Sequence, residues 1–206
     1  LYYSGVLSSS WPQGSISGVY KSDTQYSNEL KDLLKHGVSN PTVFQGWNNG
    51  DGATLLGKVL TLRNSAGIDN ESLYYMGLQP PGYQSIDEVE AVIAFAERYG
   101  ISSIYFYGAD EAYGQALLDQ RESWQAIIDA GGKMYVAGTK VGYFATFPAS
   151  EGNFGLVGDL QDLMLCYGPP DAAEAARWHS LGHEIFCYSN PQVGVEQPST
   201  YRNNFG

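Results

Sequence analysis

Short apolar segments alternate with amphipathic helical patterns almost from end to end, and this alternation confines the chain to the α/β class. The strand candidates are about 1–7, 42–47, 72–78, 103–109, 133–138, 162–167 and 184–189. Helical patterns lie between them near 24–36, 53–66, 85–98, 114–130 and 171–181. The link from Gly142 to Gly158 is irregular, with room for only a short helix. A helix that follows a strand carries the chain back over the sheet, so the next strand runs parallel to the last. Strand candidates at roughly 30-residue spacing, about seven in all, approach the eight units of a (β/α)8 barrel. The expected fold is therefore a TIM-type barrel, incomplete as it stands, with its eighth strand beyond Gly206. An open doubly wound sheet is the structural alternative. It usually carries a glycine-rich phosphate loop after its first strand, and Ser8-Ser9-Ser10-Trp11-Pro12-Gln13-Gly14 does not fit Gly-x-Gly-x-x-Gly.

The helical patterns carry start and stop signals. Ser85 and Glu88 form a Ser-x-x-Glu capping box, and Val89, Val92, Ile93 and Ala96 supply the apolar face behind it. Gly100 ends that helix, as Gly37, Gly67, Gly131 and Gly182 end four others. Pro169-Pro170 closes the sixth strand and pre-sets the next helix. The chain opens directly in Leu1-Tyr2-Tyr3-Ser4-Gly5-Val6-Leu7 and closes at Asn203-Asn204-Phe205-Gly206 without a terminal helix. Residues 1–206 thus read as one catalytic-type barrel domain cut from a longer protein at both ends, with flanking domains in the parent chain.

Charge narrows the partners. A net charge of −11 and the absence of a basic stripe argue against nucleic acid and against an anionic membrane surface. No apolar run reaches the roughly 20 residues that span a bilayer. A neutral ligand such as a sugar meets no electrostatic penalty.

The richest chemistry follows the fourth strand. Ile104-Tyr105-Phe106-Tyr107-Gly108-Ala109 is an apolar run ending in two adjacent carboxylates, Asp110 and Glu111. The C-terminal ends of parallel strands are where α/β barrels gather their catalytic groups. Two carboxylates there suggest acid/base work. The structural alternative is that Asp110 caps the next helix and Glu111 favours its positive end. In a barrel the segments after the strands converge on one mouth, bringing Trp11, Trp47, Gln79, Tyr143, Phe144, Phe147, Tyr167, Tyr188, Asn190 and Gln192 toward the acids. Aromatic faces stack on sugar rings while amides hold hydroxyls. The substrate-binding candidates are Trp47, Tyr107, Tyr143, Tyr167, Tyr188, Asn190 and Gln192.

Tyr107-Gly108-Ala109-Asp110-Glu111, followed one unit later by Gly131-Gly132-Lys133-Met134-Tyr135-Val136-Ala137, resembles the barrel of glycoside hydrolase family 123 and its uncharacterised relatives. So do Tyr188-Ser189-Asn190-Pro191-Gln192, Glu196-Gln197-Pro198 and Tyr201-Arg202-Asn203-Asn204-Phe205-Gly206. The resemblance covers about residues 90–206, and the first third by layout alone. Ala112 stands where relatives commonly have proline. The resemblance implies hydrolysis of β-linked N-acetylhexosaminides, of the N-acetylgalactosamine type, by a substrate-assisted retaining mechanism. Glu111 would be the acid/base and Asp110 would orient the 2-acetamido group. A secreted or periplasmic setting would suit such a glycan-degrading enzyme. Two alternatives stand beside it: a retaining glycosidase using Glu111 and Glu196, and a non-catalytic carbohydrate-binding barrel.

No metal or cofactor is expected. His179 and His183 share a helical face but lack His-Glu-x-x-His, and both sit where the helix ends before Gly182 or just after it. His36 repeats that placement before Gly37. Cys166 and Cys187 have no zinc spacing and read as neighbouring buried thiols on adjacent strands.

Overall fold

In the computed structural model, residues 3–8, 19–47, 51–78, 86–112, 114–138, 157–167 and 172–188 are described. Among them the strands are β1 (Val6–Leu7), β2 (Tyr20–Lys21), β3 (Ser72–Tyr75), β4 (Ser103–Tyr107), β5 (Lys133–Gly138), β6 (Leu163–Tyr167) and β7 (Glu184–Tyr188). The helices are α1 (Asp23–Lys35), α2 (Asp51–Ala66), α3 (Ile86–Glu97), α4 (Gln115–Leu118), α5 (Arg121–Asp129) and α6 (Ala172–Ser180). Strands β3, β4, β5, β6 and β7 form one parallel sheet in chain order. The class is therefore mixed α/β with a parallel sheet. No closed barrel is seen among the described residues, so the expected eight-stranded closure reduces to this coarser architecture.

Contacts divide the chain into two compact units, Leu1–Tyr107 with Ala130–Gly132, and Gly108–Asp129 with Lys133–Gly206. In the first, Leu73 and Tyr75 of β3 and Ile104 and Phe106 of β4 are buried, as the period of two along a strand requires. Aromatic pairs reinforce the register. Tyr74 lies beside Tyr105 with ring centroids 5.0 Å apart, and Tyr75 meets Phe106 edge-on at 6.0 Å. Leu56, Val59 and Leu60 of α2 and Val89, Val92 and Ala96 of α3 are also buried. Helix α3 ends at Gly100, whose φ of 85° suits glycine alone. Ser85, expected to cap it, lies outside the described residues.

Three elements differ from the sequence pattern. The segment 42–47 makes only one parallel bridge, Val43 to Tyr75. Toward the first strand its own side chains take the place of a ladder: Thr42 Oγ1 accepts Tyr3 N–H at 2.7 Å and Gln45 Oε1 accepts Leu7 N–H at 2.8 Å. The first strand correspondingly shrinks to Val6–Leu7 and pairs with β2, which was not expected. The helix expected over 114–130 is broken at Asp119–Gln120 into α4 and α5.

Two charged groups are buried in the first unit. Arg63 is fully buried and donates to the Pro41 carbonyl at 2.9 Å and to Asn40 Oδ1 at 2.7 Å; burial lowers its pKa to about 10. Lys21 bonds Glu29 Oε1 at 2.9 Å, and Glu29 Oε2 accepts the Tyr3 hydroxyl at 2.7 Å. Burial pushes the Glu29 pKa upward, but hydrogen bonds from Tyr3, Lys21 and Gln25 outweigh it and leave the carboxyl below its ordinary 4.5.

In the second unit the buried groups are Trp124 and Ile127 of α5, Met134, Tyr135 and Val136 of β5, Met164 and Cys166 of β6, and Trp178 of α6. Cys166 and Cys187 are register partners, as expected of thiols on adjacent strands. Arg121 and Asp159 close a bidentate ion pair at 2.7 and 2.6 Å that fixes the start of α5.

A carboxyl whose folded pKa is depressed stabilises the fold above its ordinary value and loses that contribution as pH falls through the folded value. Stability should therefore drop on acidification from about pH 4.5 downward, with Glu29 contributing. Urea unfolding of Glu29→Gln across that range should show a shallower pH slope than the parent; equal slopes would remove Glu29 from the account.

Candidate functional site

The turn after β4 belongs wholly to the second unit and is pinned by three backbone amides. Gly108 N–H donates to the Tyr135 carbonyl at 2.9 Å and Glu111 N–H to the Ala137 carbonyl at 3.0 Å. Three residue steps on the turn thus match two on β5. One extra residue is accommodated, which is the geometry of a bulge. Between these two, Ala109 N–H lies outside the ladder with β5 and donates to Gln120 Oε1 at 2.8 Å.

The extra residue appears in the backbone angles. Glu111 has φ of 51°, and it alone among the described non-glycine residues is positive. A side chain in this left-handed region costs about 1–2 kcal/mol. Gly114, with φ of 54°, makes the second reversal that leads into α4. Both Asp110 and Glu111 are exposed at this turn, at the C-terminal end of β5.

Below the turn, Gly108 admits the indole of Trp124. A Cβ placed at Gly108 would lie 2.6 Å from Trp124 Cζ2 and 3.1 Å from Val136 Cβ. Trp124 is fully buried, so it has no room to withdraw. Gln120 is itself buried; its Nε2 donates to the Ala116 carbonyl at 3.0 Å, and its own carbonyl accepts Trp124 N–H at 2.9 Å. The break between α4 and α5 therefore delivers one side-chain amide to the turn. Gln120, Trp124 and Gly108 were missed as supports of the acids. A signal existed: Leu117, Trp124 and Ile127 mark an apolar helical stripe, and glutamine occupies the position where that stripe should continue.

Tyr107 is buried at the end of β4, and Trp47 is half-buried with its ring edge-on to Phe95 at a centroid distance of 5.3 Å; both belong to the first unit. Tyr167 and Tyr188 are register partners that end β6 and β7. Their side chains, with Trp11, Gln79, Tyr143, Phe144, Phe147, Asn190, Gln192 and Glu196, lie outside the described residues. Among the described residues, the site candidates on this turn are Asp110 and Glu111.

His183 Nδ1 lies 3.1 Å from the Gly158 carbonyl oxygen and its backbone N–H bonds the Trp178 carbonyl at the end of α6, while His179 is exposed. Among the described residues, no group of three or more His, Cys, Asp or Glu could hold a metal ion. No helix among them is long and apolar enough to cross a membrane.

No family model matches the chain, and no curated protein matches it. Among solved structures it is similar to the 3-dehydroquinate dehydratase from Geobacillus kaustophilus HTA426, at 13% identity and a TM-score of 0.46, over 88% of this chain and 75% of that one. The expected resemblance to glycoside hydrolase family 123 is corrected by these findings, and with it the N-acetylhexosaminidase activity and the two-glutamate and non-catalytic alternatives: the matched structure is a dehydratase, and no glycosidase model fits. The physical reason is that Asp-Glu after an apolar strand is a short motif, which a strand-to-helix turn of any lineage can contain.

Two substitutions separate packing from strain. Gly108→Ala should cost about 1–3 kcal/mol through overpacking against Trp124. Glu111→Gly should instead gain roughly 0.5–1 kcal/mol, since relief of the left-handed side chain exceeds the chain entropy added. Thermal unfolding of both variants checks the pair; a lower melting temperature for Glu111→Gly would contradict the strain assignment.

Proposed function

We propose that the turn after β4 is the working edge of an α/β enzyme, with Asp110 and Glu111 as paired acid and base for a neutral, hydroxyl-rich ligand of the carbohydrate class. The observation that carries this reading is the left-handed Glu111 at an exposed strand-end turn. Backbone strain of this kind persists where the surroundings over-determine it, and it clusters at functional sites. A turn with no further task is made at lower cost by glycine or asparagine in that position. Here three hydrogen bonds and a buried indole hold a glutamate there instead.

Charge supports the ligand class. The chain carries −11, and two adjacent exposed carboxylates repel an acidic ligand while leaving hydroxyls as good hydrogen-bond donors. Winding supports the location. Consecutive strands in chain order, with no reversal of direction, follow the path of a (β/α)8 barrel rather than of a doubly wound sheet. We read the finer fold as that barrel, whose ligands sit at the C-terminal strand ends. Tyr167 and Tyr188, last in β6 and β7, end on the same edge as β5 and are the neighbouring ligand candidates. Tyr143, Asn190 and Gln192 join them by sequence position. The reading includes no cleavage of a glycosidic bond.

Chemical-shift titration of the labelled chain with neutral monosaccharides and polyols, and with the matching uronates, tests it. Neutral ligands should perturb amides 108–112. The uronates should bind roughly fivefold more weakly, as expected for about 1 kcal/mol of repulsion near the surface. Asp110→Asn combined with Glu111→Gln should weaken neutral binding about tenfold, the loss of one charge-assisted hydrogen bond. Equal binding by the parent and the double variant, or no perturbation of the turn by any neutral ligand, overturns the proposal.

A further inference from the structure

We propose that Gln120 is the positioning residue of this site: it holds the acid-bearing turn in its left-handed form by accepting the Ala109 amide, which lies between the two amides that pair with β5. The inference rests on the turn being the working edge, and its geometry is local. The ladder between the turn and β5 uses the amides of Gly108 and Glu111 and passes over Ala109. Ala109 N–H finds its acceptor in Gln120 Oε1, eleven residues on and across the α4–α5 break. The same side-chain amide donates to the Ala116 carbonyl, which the broken helix has left without its usual partner.

Among side chains of this length and shape, the primary amide alone presents an acceptor and a donor from one planar end. A carboxylate could accept from Ala109 but would confront the Ala116 carbonyl with a second acceptor. Leucine would fill the space and bond neither. The break in the helix is explained by the same demand. A continuous helix over 114–130 would keep residue 120 within its own ladder, whereas Gln120 N–H bonds Leu117 at 3.2 Å and Asp119 N–H bonds Gln115 at 2.8 Å around the break. Gln120 is buried, so a role in solubility is excluded, and its hydrogen bond to the turn is made at Ala109.

The test uses the labelled full chain with Gln120→Leu and Gln120→Glu, reading the Glu111 amide–α-proton coupling and Cα shift, which report its φ, and exchange of the Ala109 amide. In Gln120→Leu the left-handed signature of Glu111 should vanish and Ala109 should exchange at least about tenfold faster, relative to its intrinsic rate. In Gln120→Glu both should recover as the pH is lowered, because the protonated carboxyl regains the donor for Ala116 that the carboxylate lacks. A role in packing alone gives no such pH-dependent recovery. An unchanged Glu111 signature in Gln120→Leu overturns the inference, and so does a Gln120→Glu chain indifferent to pH, which serves if the leucine variant fails to fold. Titration of each variant with the neutral monosaccharides is read separately: if the parent itself binds none, the functional reading fails while the Glu111 signature still decides the role of Gln120.

Discussion

Parallel pairing is the constraint on which the architecture depends. Two parallel strands cannot be joined by a tight turn, so each must be followed by a crossover, and a helix is the usual way to make it. In β5, β6 and β7 the partners run Tyr135 to Leu163 and Leu163 to Glu184, so β6 and β7 start and finish level and β5 ends within one residue of them. One edge of the sheet thereby collects every strand C-terminus with the turn behind it. A residue becomes a site candidate by standing just past a strand, whatever its neighbours in sequence. Asp110 and Glu111 meet that condition, and Asp162 does not. Asp162 precedes β6, and its carboxylate accepts Met134 N–H at 2.9 Å, so it secures the start of β5.

At the turn itself, one extra residue sets the remaining geometry. It accompanies a left-handed Glu111 and leaves the Ala109 amide outside the ladder with β5. Each feature has its own compensation. Gly108 has no Cβ, which brings Trp124 against the strand end, and Gln120 supplies the acceptor that Ala109 needs. These supports lie beneath an exposed surface, so the acids can face solvent while their backbone is fixed from below. The cost is carried by the helix, which gives up continuity at Asp119–Gln120.

Periodic features were legible in the sequence because they reflect burial along a regular element. Helix α3 was expected over 85–98 and occupies Ile86–Glu97, with Val89, Val92 and Ala96 buried on its inner face. Strands β4 to β7 were placed to within one or two residues for the same reason. What escaped was structure made by single side chains over long separations. Gln45 reaches Leu7 and Thr42 reaches Tyr3, so two apolar stretches that read as neighbouring strands meet through side-chain oxygens. Gln120 likewise looks like an ordinary helical residue until its partner eleven positions away is known. Apolar period is blind to such bonds, since it records which residues are buried and not which polar atom each one answers.

The acid pair shows why its identity was readable while its lineage was not. In a regular strand, adjacent side chains alternate between the two faces, so a neighbouring Asp and Glu would be directed apart. Glu111 does not continue the strand; its φ of 51° breaks the alternation, and the relation between the two carboxylates is set by the turn. A dipeptide match therefore says little without the backbone beneath it. Whether two such acids can act on one ligand depends on Gly108, Gln120 and Trp124, which lie outside the motif or carry no charge. A family resemblance that takes its chemistry from the acid pair samples the part of the site that any strand-end turn can acquire, and leaves out the part that fixes their geometry.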